Sequence, residues 1–175
     1  MEFSDAVRRR TSTRAFQPRQ VERAKLDAVL AAACAAPTAM GEYGKIRLLV
    51  IQDRKVLDAL EARFAEKTGQ PGAAPTYGAP TVVYVLSDDS LPDVLAGANA
   101  GAMVENMLLS AADQGLASVY LFGISEALRG DPDAAALLRL PEGFHAVSAA
   151  ALGYPAQGDG VREKPVPQVD TLYLR

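Results

Sequence analysis

The run Arg8-Arg9-Arg10-Thr11-Ser12-Thr13-Arg14-Ala15-Phe16 places four arginines and three hydroxyl side chains at seven consecutive positions, 8–14. It falls where the helical spacing of the first residues gives way, and a second helical segment follows it before any strand. Two helices ahead of the first strand do not fit the strand–helix alternation of a plain doubly wound nucleotide fold. Guanidinium forks and hydroxyls converging from several directions suit a dianionic phosphate. The same residues also read as the solvated basic end of a helix, and composition alone leaves both readings open.

Working outward, Ser4 is placed to cap a first helix running to about Arg10. Thr11 to Pro18 breaks the periodicity, and Val21 to Ala35 forms a second helix with Leu26, Val29, Leu30 and Ala33 on one face. Pro37 closes that helix, and Thr38 to Lys45 is a loop holding Gly41 and Gly44. Ile46 to Gln52 (IRLLVIQ) is a buried strand. Asp53 caps a helix carrying Val56, Leu57, Leu60 and Phe64. Gln70 to Ala79 is irregular, and Thr81 to Leu86 (TVVYVL) is the second strand. A long, Gly/Ala-rich helix spans Val94 to Gln114 and stops at Gly115. Ala117 to Phe122 is a strand, Ser125 to Leu138 a helix and Ala146 to Leu152 a fourth strand. The proline- and glycine-rich tail then excludes helix, while Val169 to Leu174 can pair as a terminal strand, on another subunit if not its own.

The 175 residues read as one domain spanning 1–175, with no repeat, linker or low-complexity tract. A net charge of −3, from 18 basic and 21 acidic side chains, gives no reason to expect nucleic-acid binding. No apolar run approaches the ~20 residues that cross a bilayer, and the first residues lack the pattern of a signal peptide. With Cys34 the sole cysteine, no internal disulfide forms, and a reducing cytoplasm is the expected compartment. Cys34 itself, amid alanines, reads as a small buried helix residue, and His145 as structural. One Cys and one His exclude His/Cys zinc clusters and leave few routes to a protein nucleophile, so carboxylates or a bound cofactor would carry any chemistry.

The chain contains neither GxxxxGK[ST] nor GxGxxG; Gly97-Ala98-Asn99-Ala100-Gly101 has other spacing and belongs to the long helix. A phosphate ligand would therefore be held by side chains, with Arg162 and Lys164 in the tail as a second basic pair.

Several segments, in order, resemble the FMN-dependent nitroreductases and their flavin reductase relatives. Arg10-Thr11-Ser12-Thr13-Arg14-Ala15-Phe16 resembles that family's opening signature, and Ala36-Pro37-Thr38-Ala39 the start of its second flavin loop. Tyr77-Gly78-Ala79-Pro80 is similar to its entry into the next strand, Ala98 to Leu116 to its central helix, and Leu121-Phe122-Gly123 to the strand end beside the flavin. Leu140-Pro141-Glu142-Gly143, Leu152-Gly153-Tyr154-Pro155 and Arg162-Glu163-Lys164-Pro165 resemble the closing segments.

The resemblance implies an α+β fold: a three-layer α-β-α sandwich around a mixed, mainly antiparallel sheet, with the C-terminal tail swapped across a homodimer. It implies FMN bound between subunits, with NADH or NADPH as donor and a nitroaromatic, quinone or flavin as acceptor. Carried onto this chain, Arg10, Thr11, Ser12 and Arg14 would hold the phosphate, with Arg162 or Lys164 assisting. Pro37, Thr38, Ala39 and Gly41 would supply the second flavin loop, and Leu121, Phe122 and Gly123 would lie against the ring; no protein side chain is catalytic. The family's Asn-x-Gln-Pro-aromatic run is replaced here by Gly41-Glu42-Tyr43-Gly44-Lys45, so backbone groups, Tyr43 or Lys45 would have to meet the flavin edge. The segment capping the substrate pocket is reduced to about Ala65–Tyr77. The departure at Gly41 keeps alternatives in view: a flavin-sequestering protein without turnover, or an interaction module that has lost its flavin.

Overall fold

A computed structural model describes residues 1–156 and 169–174. The elements follow in the order α1 (Phe3–Arg9), α2 (Arg23–Cys34), β1 (Ile46–Ile51), α3 (Arg54–Thr68), β2 (Thr81–Asp88), α4 (Asp93–Asp113), β3 (Ala117–Leu121), α5 (Gly123–Ala127), α6 (Pro132–Leu138) and β4 (Phe144–Gly153).

The strands form one sheet in the order β1-β2-β4-β3, with each neighbouring pair antiparallel. The parallel contribution to the expected mixed sheet is a single bridge, Ser12 to Ser118, on the outer edge of β3. Because successive strand residues face opposite sides, β2 divides its side chains between two cores. Val82, Tyr84 and Leu86 meet Leu57 and Leu60 of α3, Ile124 of α5 and Leu138 of α6. Val83 and Val85 meet Leu26 and Val29 of α2 and Met103, Val104 and Met107 of α4. The α-β-α layering thus follows from a central strand that is apolar on both faces.

Four expectations need correction. Ser4 does not cap α1: Glu2 occupies that position without a side-chain bond, and the helix starts at Phe3. Cys34 is exposed, because the buried stripe of α2 runs through Leu26, Val29 and Ala33 and turns Cys34 outward. The helix expected over 125–138 is two: Gly130 takes φ +70°, Asp131 caps α6 by accepting from Ala134 N at 2.9 Å, and Pro132 starts the second segment. Val169 to Leu174 forms no strand within the chain; Val169, Leu172, Tyr173 and Leu174 are exposed.

The segment after α1 meets the segment after β4 beside the sheet. Gln17 N–H donates to Tyr154 O at 2.8 Å, and Ala156 N–H to Ala15 O at 3.0 Å. The Tyr154 hydroxyl donates to Glu22 at 2.6 Å, and that bond, with help from Arg19, holds the Glu22 carboxyl down at about 2. Gly153 is required here by close approach: a Cβ would stand 2.7 Å from Pro80 Cδ and 3.0 Å from the Phe16 ring. A proline ring cannot swing aside, so Gly153→Ala is expected to cost about 1–3 kcal/mol by overpacking. Urea unfolding checks this; an unchanged midpoint would show that the contact relaxes freely.

Candidate functional site

The arginine run leaves α1 as extended chain and joins the free edge of β3. Arg10 is the C-cap of α1, its N–H donating to Ala6 O at 2.9 Å. Thr13 N–H donates to Ser118 O at 2.9 Å, and Phe16 is buried and bridged to Pro155. Extended backbone sends neighbouring side chains to opposite sides. Accordingly Thr11 and Thr13, with Arg9 and Arg10, line a polar cavity of about 370 Å³ against the end of α4, whereas Ser12 and Arg14 are not among its walls.

The cations in this run differ in how far they are neutralised. Arg8 is paired with Asp5. Arg10 has only a long contact, 3.6 Å from Nε to Glu105 of α4. Arg14 has no carboxylate partner among the described residues; its guanidinium lies 5.9 Å from the centre of the Tyr77 ring. An exposed guanidinium positioned by an aromatic ring and otherwise unpaired is available to an anion.

The second loop follows α2. Pro37 and Thr38 lead into a 3-10 turn, Ala39–Gly41, in which Met40 adopts φ 55° and Gly41 φ 69°. The Thr38 hydroxyl is buried and has no hydrogen-bond partner among the described residues. Tyr43 and Lys45, expected as substitutes at a flavin edge, are engaged locally: the Tyr43 hydroxyl donates to Ala36 O at 3.2 Å, and Lys45 pairs with Glu42 at 2.8 Å. The N–H groups of Ala39, Gly41, Glu42 and Lys45 are likewise bonded within the protein.

The third segment sits where β3 ends. Leu121 is buried, whereas Phe122 is 56 % exposed and lines an opening of about 250 Å³ with Gly97 of α4. A Cβ at Gly123 would meet no atom within 4 Å, so the Phe122–Gly123 peptide borders open space. The arginine run and the Phe122 segment are both attached to β3, but they border different openings. Arg162 and Lys164 lie outside the described residues.

A cavity of about 400 Å³ lies elsewhere, between the sheet and α5–α6, lined by Tyr84, Ile124, Leu128, Leu138 and Phe144. Its walls include His145, whose Nδ1 lies 2.7 Å from Asp89, which agrees with a structural role. Burial pushes the Tyr84 phenol up. None of the residues expected to bind the cofactor lines it.

Arg14 and the Thr38 hydroxyl, each without a polar partner among the described residues, and the open Phe122–Gly123 peptide match, one each, the parts of a ligand with an anionic end, a hydrogen-bonding middle and a flat surface. A flavin mononucleotide has that form. Sequence reading missed Tyr77 as the stacking partner of Arg14, Glu105 as the neighbour of Arg10, and Asn99, whose side chain reaches the second loop. An asparagine inside a Gly/Ala helix was the available signal for the last.

Comparison with known proteins gives the same direction. The nitroreductase family model matches residues 7–154. A relative from Methanothermobacter thermautotrophicus, named for NADH dehydrogenase or NAD(P)H nitroreductase activity, is 27 % identical over 167 residues, covering 93 % of this chain and 82 % of that one. A Bacteroides fragilis nitroreductase crystallised with bound FMN superposes with a TM-score of 0.87 at 27 % identity, each chain fully covered. An FMN-bound nitroreductase from Desulfitobacterium hafniense shares the fold, with a TM-score of 0.84 at 19 % identity, over 99 % of this chain and all of that one. With the family model spanning the layered core, the arginine run and the Phe122 segment alike, the chain belongs to the nitroreductase family of oxidoreductases.

Proposed function

We propose that the protein binds FMN and uses NADH or NADPH to reduce a nitroaromatic, quinone or flavin-type acceptor in a ping-pong sequence. The observation that carries this reading is a pair of groups in the two flavin segments that are uncommitted among the described residues: the Arg14 guanidinium, with no carboxylate partner, and the buried Thr38 hydroxyl, with no hydrogen bond. Arg10, Thr11, Ser12 and Arg14 would hold the phosphate through charge-assisted bonds. Thr38, with the backbone of Ala39 and Gly41 and the turn set by Pro37, would meet the middle and edge of the flavin, and the Leu121-Phe122-Gly123 segment would support its ring. Bound FMN supplies the hydride chemistry; the chain's contribution is to hold it, orient it and leave one flat face for donor and acceptor in turn. No protein nucleophile is needed, in keeping with the scarcity of His and Cys.

The site is proposed to lie between two copies of the chain. Met40, Phe122, Phe3 and Val94 are exposed apolar side chains, a pattern that fits a surface to be covered by a partner. Arg162 and Lys164 of the tail would add cations to the phosphate end. None of the described helices is long and apolar enough to cross a membrane, which accords with a cytoplasmic enzyme.

A second reading has one observation in its favour. Tyr43 and Lys45 are committed within the loop, so the protein could hold flavin without recognising a substrate, as a sequestering protein would. Purified protein is expected to be yellow, to release about one FMN per subunit on heating, to scatter light as a dimer, and to oxidise NADH or NADPH with an acceptor present. FMN release without oxidation of either donor supports the sequestering reading. Colourless protein that takes up no added FMN overturns both.

A further inference from the structure

Asn99 sits in the interior of α4 among glycines and alanines, 4 % exposed. Asparagine is a poor helix residue, and its amide is costly to bury without a partner. Its partner lies outside the helix: Asn99 Oδ1 accepts from Ala39 N–H at 2.8 Å, sixty positions away in sequence. Ala39 opens the 3-10 turn of the second flavin loop, so its N–H is one of the donors that a turn of helix leaves unsatisfied. A cap from the preceding residue, here Thr38, would reach the N–H of Met40 or Gly41 and not that of Ala39, so Ala39 needs a partner from elsewhere. Thr38 makes no cap here, and its buried hydroxyl stays unbonded. Within the same turn Met40 holds φ 55°, ψ 14°, a left-handed conformation that L side chains rarely adopt and that an unrestrained loop would leave.

We propose that Asn99 is a positioning residue for the flavin site: by capping the Ala39–Gly41 turn from α4 it holds the strained loop in place and leaves the Thr38 hydroxyl free for the cofactor. The proposal rests on the FMN reading given above. Without Asn99, Thr38 is expected to turn its hydroxyl onto its own loop, and the turn to relax at Met40. The same helix carries Glu105 beside Arg10, so α4 sets the relative placement of the loop and the arginine run.

The test compares wild type, Asn99→Ala and Asn99→Asp, the last keeping an oxygen acceptor at the same reach. Three quantities are read on apoprotein: amide hydrogen exchange over residues 38–42 against that of β2, FMN dissociation constant by flavin fluorescence, and thermal midpoint. Asn99→Ala is expected to speed exchange in the loop but not in β2 and to weaken FMN binding about tenfold, with Asn99→Asp recovering most of both. If Asn99→Ala does not fold, Asn99→Ser carries the comparison, since its shorter side chain falls short of Ala39. A lowered midpoint with unchanged FMN affinity and loop exchange would make Asn99 a packing residue and overturn the proposal. Failure of wild type to bind FMN would overturn the cofactor reading separately, and the exchange comparison would still decide whether Asn99 holds the loop.

Discussion

Replacing Arg14 by alanine is expected to raise the FMN dissociation constant roughly 10- to 150-fold, the equivalent of one charge-assisted hydrogen bond of about 1.5–3 kcal/mol. The expectation rests on the contrast among the cations near the N-terminus. Arg8, Arg19 and Arg23 each have a carboxylate three or four residues away on the same surface. Arg14 has the Tyr77 ring and no described carboxylate. Because Arg14 is exposed, its contact with a phosphate is screened by salt, so the effect should be largest at low ionic strength. Arg14→Lys keeps the charge but loses the planar fork and the stacking, and an intermediate loss is expected. Arg23→Ala, removing an arginine paired with Asp27 on the outer face of α2, should leave FMN binding unchanged. Fluorescence titration of apoprotein at two salt concentrations reads all of these. An Arg14→Ala titration indistinguishable from wild type would falsify the assignment of this run to the phosphate.

How much could be read from sequence depended on whether each feature repeats along the chain. The strand at Thr81 is a run of apolar residues with both faces buried, and α4 carries an apolar stripe over its whole length, so both were legible to within a residue or two. The break between α5 and α6 was missed because only four residues, 128–131, separate the two helices. Asp followed by Pro is a cap followed by a first helical residue, and that signal stood in the sequence unread. Cys34 was misplaced because a run of alanines has no polar side to mark which face is outside. At the proposed site, residue type and order pointed to Arg14, Thr38 and Phe122, which the FMN titrations put to the test. Asn99 stood out as an asparagine in a Gly/Ala helix, but its partner, like Tyr77 beside Arg14, was beyond reach, because a side chain bonding a loop sixty residues away, or lying against an arginine from another segment, leaves no period in the sequence.

The α5–α6 break also holds Asp131, the one charged residue that is buried among the described residues, and its removal should have a large effect on stability. Asp131 is buried and accepts from Arg63 through both oxygens at 2.7–3.1 Å, from Ala134 N at 2.9 Å, and has Lys67 at 3.4 Å. The Arg63 guanidinium, with the Ala134 N–H, holds the Asp131 carboxyl well below the usual carboxylate range. The bond ties α3 to the start of α6, behind the segment that leads from Phe122. Asp131→Ala removes the cap and the buried bidentate partner of Arg63, which keeps Glu66 at 2.7 Å and Asp133 at 3.4 Å, and a fall in Tm of roughly 10 °C is expected. The same pair predicts the acid limb of stability. A carboxyl whose folded value is depressed favours the folded state fully only above its unfolded value, about 4. The contribution then drains away as pH falls from about 4 towards the lower folded value. Wild type should therefore lose Tm steeply below pH 4, while Asp131→Asn, already lowered at neutral pH, should show a shallower acid limb. Scanning calorimetry of both from pH 7 to 2.5 reads the difference. Parallel curves would mean that other carboxylates, Glu22 and Asp88 among those also held low, set the acid limb instead. FMN affinity at neutral pH separates the two halves of the argument: if α6 only supports the strand end, Asp131→Asn should lower Tm while leaving the Arg14-dependent part of binding intact.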